Sequence, residues 1–125
     1  MEQKFYRCKH CGQIIAIVKK TGVPVVCCGE KMEELVPGVV EASKEKHIPV
    51  YKVENNVVEV TVGSTIHPMI SEHYIEWISI QTNKGNQRKI LTPNSNPEAV
   101  FALCEDESLE AVYAYCNLHS LWVSK

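Results

Sequence analysis

Five side chains in the C-terminal two thirds of the chain could close around one metal ion: His47, His67, His73, Cys116 and His119. They sit in the segments Glu45-Lys46-His47-Ile48-Pro49, His67-Pro68-Met69, His73-Tyr74-Ile75-Glu76-Trp77 and Cys116-Asn117-Leu118-His119. Four imidazoles and a thiolate exceed the four ligands of a tetrahedral structural zinc site. A five-donor nitrogen and sulfur set with one open position suits a redox metal such as iron, so a reactive centre is the leading expectation. Each residue alone is weak evidence, because a lone histidine is more often a surface or hydrogen-bonded residue than a ligand. Pro68 restricts the backbone of His67 to extended conformations. His73 follows at even spacing, so an extended path would place both on one face. A turn would bring Cys116 and His119 onto one ion. Scattered polar loop residues, or a three-ligand zinc site, are the competing readings of this spacing.

A second candidate centre lies in the first quarter of the chain. Cys8-Lys9-His10-Cys11-Gly12 is a metal knuckle: a two-residue gap turns both sulfurs toward one ion, and the glycine permits the tight backbone. Cys27-Cys28-Gly29 supplies the other pair. Adjacent residues on a regular strand point to opposite faces, so both can bind one metal only if the backbone bends there. A thioredoxin-like redox pair lacks its βαβ context, and haem attachment fails because Gly12 stands where a histidine would follow Cys11. A vicinal disulfide or reduced buried thiols are the remaining alternatives. Spacing alone does not separate iron from zinc. His10 is expected to be exposed and not a ligand. Cys104 has no partner cysteine and reads as a buried, inert core thiol.

The elements that must position these residues read as mainly β. The 125 residues fit one domain, or one small domain plus a very small one, and an apolar share of 45% supports a core. The formal net charge of −2 gives no basic field for nucleic acid. The chain begins without a signal-peptide pattern and has no membrane-length apolar run, so a cytoplasmic protein is expected. In that compartment six cysteines favour metal or redox work over disulfides. Residues 1–36 are short apolar pieces between turn signals, too few to fold without a metal staple. Leu35-Val36-Pro37-Gly38 is the natural junction to a second domain, 37–125. There Val58, Val60 and Val62 alternate with polar residues as a half-buried strand. Tyr74 to Ile80 is rich in strand formers, and Asn83-Lys84-Gly85-Asn86 is a hairpin turn candidate. Phe101 and Leu103 alternate with Ala102 and Cys104. Val112 and Ala114 face away from Tyr113 and Tyr115. Turn signals every ten residues or so predict a β-sandwich.

These motifs, in this order, closely resemble desulfoferrodoxin, the two-iron form of superoxide reductase, over essentially the whole length. The knuckle with Cys27-Cys28-Gly29 is similar to the family's desulforedoxin-type module, and the four histidine and cysteine segments are similar to its catalytic module. One departure is Ser120 before Leu121-Trp122, where the family usually has glycine. The resemblance implies a rubredoxin-like iron on Cys8, Cys11, Cys27 and Cys28. It implies a second iron with His47, His67, His73 and His119 roughly in a plane and Cys116 as axial thiolate. It also implies an immunoglobulin-like sandwich and a homodimer. The implied reaction is one-electron reduction of superoxide to hydrogen peroxide at a ferrous site with an open sixth position. An external, rubredoxin-like donor would re-reduce that site. Within this frame Lys46 is the candidate for attracting the anion, and Glu45 the carboxylate that caps the oxidised site. Both also fit an ordinary solvated charge run, Glu41 to Lys46. The alternatives are an electron-transfer iron protein without its own substrate, a zinc-stabilised binding module and a superoxide dismutase.

Overall fold

The structure, a computed structural model, describes residues 2–125 and divides into two compact units, the first ending at Val36 and the second running Pro37–Lys125. The first contains strands β1 (Lys4–Arg7), β2 (Ile14–Ile17), β3 (Val26–Cys27), β4 (Glu30–Lys31) and β5 (Glu33–Glu34). β1 lies between β2 and β5, and β3 pairs with β4 as a separate hairpin. Phe5, Cys8 and Met32 are its buried apolar residues among those described.

The second unit begins its regular structure with a single helical turn, α1 (Lys44–His47). Seven strands follow: β6 (Pro49–Glu54), β7 (Val57–Val62), β8 (Ile75–Thr82), β9 (Gly85–Ile90), β10 (Glu98–Ala102), β11 (Leu109–Cys116) and β12 (Ser120–Ser124). They form a three-stranded sheet ordered β10-β7-β6 and a four-stranded sheet ordered β12-β11-β8-β9, every pair antiparallel. Successive strands switch sheets after β7, β9 and β10, which is the Greek-key crossing of an immunoglobulin-like sandwich.

Period-2 patterning, interrupted by the register shift beside Ile75 and Cys116, decides which residues meet between the sheets. Val58, Val60, Val62, Ala99 and Phe101 from one sheet share a buried cluster with Ile75, Ile78, Ile80, Val112, Ala114 and Cys116 from the other. Each fully buried valine, isoleucine or phenylalanine among them contributes roughly 1.5–3 kcal/mol of transfer free energy. The opposite face of β8 and β11 is buried too, carrying Trp77, Tyr113 and Tyr115, and Trp77 stacks on Tyr115 with centroids 5.5 Å apart. The β8–β9 hairpin turns at Asn83-Lys84 with Gly85 at φ 138°, as the turn chemistry predicted. Among the described residues no helix is long and apolar enough to cross a membrane.

Cys104 corrects the sequence reading: it is exposed, not a core thiol. The alternation along β10 explains this, since Phe101 and Leu103 are buried while Ala102 and Cys104 take the outward phase. A carboxylate oxygen of Glu107 accepts the Cys104 amide at 3.0 Å and the other accepts the buried Thr82 hydroxyl at 2.7 Å.

Candidate metal centres

The knuckle forms as its sequence requires. Gly12 takes φ 82° and its amide donates to the Cys8 carbonyl at 2.8 Å, closing the turn that carries Cys11. The bend expected at the adjacent cysteines is also present: Cys28 and Gly29 both adopt left-handed backbone, at φ 53° and 73°. Consequently all four sulfurs lie within 4.8 Å of one another. Cys11 Sγ is 3.7 Å from Cys27 Sγ, and Cys27 Sγ is 4.0 Å from Cys28 Sγ. Thiolates at tetrahedral positions around a metal with metal–sulfur bonds near 2.3 Å are separated by about 3.8 Å, so the donor set fits such an ion. Backbone amides of Cys11 and His10 pull the Cys8 thiol down to about 6, while bonding to Cys8 and then to Cys11 pushes Cys27 up to about 12. Four crowded thiols ionise one at a time, and a divalent cation removes that conflict. His10 stays outside: it is exposed, and its Nε2 lies 2.7 Å from Glu30, which also pairs with Lys9 at 3.2 Å.

The second donor set gathers residues from four places in the sandwich unit. His47 ends α1, His67 and His73 lie in the connection from β7 to β8, Cys116 ends β11, and His119 precedes β12. His47, His67, His73 and Cys116 each bring one ligand atom within 4.8 Å of all the others. His119 joins through Nδ1, 3.1 Å from His47 Nε2 and 3.8 Å from Cys116 Sγ. The imidazoles form a ring. His47 and His73 each have His67 and His119 as neighbours, with centroids 4.7 to 5.1 Å apart and planes 73° to 88° from parallel. His47 and His73 face each other across it at 6.3 Å.

Hydrogen bonding on the far side of the rings fixes their tautomers. His47 Nδ1 donates to the Ser43 carbonyl at 2.6 Å, and His67 Nδ1 donates to the Pro68 carbonyl at 2.7 Å. Both Nε2 atoms are then unprotonated, yet they lie 3.2 Å apart. Two lone pairs facing each other at that distance repel unless a cation sits between them. Donors at right angles around a metal with bonds near 2.1 Å would be about 3.0 Å apart, close to the spacing found. His73 Nε2 is buried without a hydrogen-bond partner among the described residues, a cost that a metal bond would remove. Burial drives His67 down to about 4, against the raising effect of the Pro68 carbonyl, so it stays neutral and able to ligate. Burial raises the Cys116 thiol, and the amides of Leu118 and His119 oppose that by bonding to the sulfur. The sulfur is fully buried, whereas His73 and His119 are only partly buried as residues.

Between His67 and His73 the chain is not extended. Ile70 and His73 exchange two backbone hydrogen bonds of 3.1 Å, and this reversal, rather than strand alternation, brings the two imidazoles together. Cys116 and His119 do meet through a tight turn between β11 and β12. Sequence reasoning did not find the residues that hold these segments. Asn117 accepts the Tyr74 amide at 2.9 Å and donates to the Glu72 carbonyl at 3.0 Å, fastening the His73 segment to the Cys116 turn. Trp122 donates its indole N–H to the His119 carbonyl at 2.9 Å and lies 5.0 Å from the His47 ring. Trp122 stands three residues after His119, and that proximity was the available signal. Glu45 and Lys46 are exposed on α1, and the Lys46 charge is near enough to depress both His47 and His73, behind burial as the main cause.

Comparison with known proteins agrees with this architecture. The Desulfoferrodoxin family model matches residues 39–125, and that of the desulfoferrodoxin N-terminal domain matches residues 1–35. The chain is 40% identical over 121 residues to desulfoferrodoxin from Nitratidesulfovibrio vulgaris, covering 97% of this chain and 94% of that one. It is similar to the crystal structure of the superoxide reductase from Treponema pallidum, with a TM-score of 0.85, 39% identity and 100% of both chains covered. The one-iron superoxide reductase from Giardia intestinalis matches 65% of this chain and 96% of its own, at 35% identity and a TM-score of 0.55. Two donor sets of the expected composition, each placed by its own fold, and these whole-length matches lead to one conclusion: the chain belongs to the desulfoferrodoxin family.

Proposed function

We propose that this protein is a superoxide reductase, adding one electron and two protons to superoxide to give hydrogen peroxide at the histidine and cysteine centre. The observation that carries the reading is the ring of imidazoles beside a buried thiol, with His73 and His119 at its partly exposed side. Iron bound there supplies the electron. The chain's residues do the rest. His47 and His67, locked by the Ser43 and Pro68 carbonyls, keep their lone pairs aimed inward. The Leu118 and His119 amides temper the charge of the Cys116 thiolate. Lys46 draws the anion toward the open side by a field that salt screens. Glu45 supplies the carboxylate that covers the donor set between turnovers. Protons arrive from solvent at the exposed edge beside His73 and His119.

In this reading the four-cysteine unit, residues 1–36, carries an accessory iron, and residues 37–125 form the catalytic domain. The family resemblance supports a rubredoxin-like electron donor, a homodimer and a cytoplasmic setting. An anaerobic superoxide pulse on the fully reduced protein tests the activity. One peroxide per histidine-site iron oxidised, with no oxygen evolved, is the expected result. Catalytic oxygen evolution without a donor would mean dismutation, and no reaction at an iron-loaded site would leave electron transfer.

A further inference from the structure

The segment bearing Glu45 and Lys46 cannot hold its own shape. Helix α1 is one turn of four residues, and Ser43 at its N-cap makes no side-chain capping bond. So short a helix is unstable without outside support. That support comes from the turn after β7. The Thr65 amide donates to the Glu45 carbonyl at 3.0 Å, the Ser64 hydroxyl donates to the same oxygen at 3.3 Å, and the Gly63 amide donates to the Ile48 carbonyl at 3.2 Å.

Gly63 is what allows the approach. It takes φ 88°, and a Cβ at this position would stand 2.8 Å from the Lys46 carbonyl and 2.9 Å from the Glu45 carbonyl, and closer still to that of Thr65. Every obstructing atom is backbone, so none can yield by a rotamer change. Any side chain at position 63 must therefore push the Glu45–Lys46 backbone away or break the turn. The turn continues two residues later into His67, whose ring abuts that of His47.

We propose that Gly63, with the Ser64 and Thr65 donors, is the positioning element that seats Glu45 and Lys46 beside the open side of the histidine ring. The inference rests on the reading of Lys46 as the residue that attracts superoxide. Lys46 has no ion-pair partner among the described residues, so its position depends on its backbone. With the seat intact, the turn of α1 that carries its charge stays fixed directly before His47. With the seat broken the same charge spreads over a larger volume of solvent and its local field falls.

The experiment is a double-mutant cycle of Gly63→Ala with Lys46→Ala on the iron-loaded protein. It reads the rate with superoxide against ionic strength, the iron content, the thiolate absorption band, and amide hydrogen exchange over residues 44–48. Lys46→Ala is expected to slow the reaction by about tenfold and flatten its salt dependence. Gly63→Ala is expected to speed exchange over 44–48 and to lose much of the same rate and slope while iron and band remain. Adding Gly63→Ala to Lys46→Ala should then cost nothing more. Ser64→Ala, which removes one donor and leaves the backbone alone, guards against a Gly63→Ala protein that fails to fold. It should produce a smaller change of the same kind. Full rate and slope in both turn variants, beside a slowed Lys46→Ala, would overturn the inference and leave the reading of Lys46 standing. Fully additive losses would also overturn it, because the turn would then act through the ligands. A Lys46→Ala protein with unchanged rate and slope would overturn the reading of Lys46, and the role given to the turn with it.

Discussion

Replacing Ser120 by glycine should make the sandwich unit more stable. Ser120 holds φ 65° directly after His119, at the end of a three-residue connection between β11 and β12, with its register partner Cys116 opposite. This is the hairpin in which a residue in left-handed conformation closes the loop, a position where glycine is favoured. A non-glycine residue held there costs roughly 1–2 kcal/mol. Glycine removes that cost but gains freedom in the unfolded chain, which offsets a good part of it. Among the described residues no hydrogen bond of the Ser120 hydroxyl stands against the exchange. The net expectation is a gain of about 0.5–1 kcal/mol, or a few degrees in Tm for a unit of this size. Both tryptophans, Trp77 and Trp122, lie in the second unit, so their fluorescence reports its unfolding. Urea midpoints of the iron-loaded protein should rise in the order Ser120, Ser120→Asn, Ser120→Gly, because asparagine tolerates this conformation better than serine. Asn55, Asn56 and Asn94 already occupy it in this chain. The thiolate band should not move, since Cys116 and His119 keep their places. An unchanged or lower midpoint for Ser120→Gly would refute the strain argument.

Two further variants probe what surrounds the site and the core. Trp122→Phe keeps a ring near His47 but removes the indole bond to the His119 carbonyl, worth about 1 kcal/mol. Iron should pass to a chelator about fivefold more readily from the histidine centre, and an unaltered affinity would show that the bond does not hold His119 in place. Glu107→Gln weakens the tie between the β10–β11 connection and Thr82. The Cys104 amide, and then the Thr82 hydroxyl, hold the Glu107 carboxyl below its usual range. A depressed carboxyl adds stability that is present above its unfolded pKa and lost as pH falls through the folded one. The urea-midpoint gap between the parent protein and Glu107→Gln should therefore be open at neutral pH and close in acid; a gap that ignores pH would refute the assignment.

What the sequence made legible follows the reach of local rules. The alternation of Val58, Val60 and Val62, and the turn at Asn83 to Gly85, depend on neighbours alone, and the structure bears them out. So does the bend at Cys27-Cys28, which followed from asking two adjacent sulfurs to face one ion. Helix α1 was not legible, because four residues are too few to display a helical period. The reversal between His67 and His73 was hidden because Ile70 and His73 meet through backbone bonds that no side-chain type announces. Cys104 was misread by residue type, although its alternation with Leu103 already placed it outward. Trp122 and Gly63 act across the fold, on His47 and on Glu45 and Lys46, which lie at least 17 positions away in sequence.

The two centres relate to their folds in opposite ways. In the first unit, Phe5, Cys8 and Met32 are the buried apolar residues among those described, and one of them is itself a ligand. So small a core cannot offset the conformational entropy of some thirty-five residues, so the bound metal must supply part of the folding free energy. The cysteine positions are then fixed by the ion as much as by the chain. In the second unit the sheets close over Val58, Ile78, Ile80, Phe101 and Val112 without help from any ligand except Cys116, which lies at the edge of that cluster. There the sandwich supplies the fold, and bonds to the Ser43 and Pro68 carbonyls orient the His47 and His67 rings from the side away from their donor atoms. A site built that way can keep one side free of protein donors. On the function proposed above, the five donors keep their places with that side unfilled, and the proposed reaction with a small anion would use it.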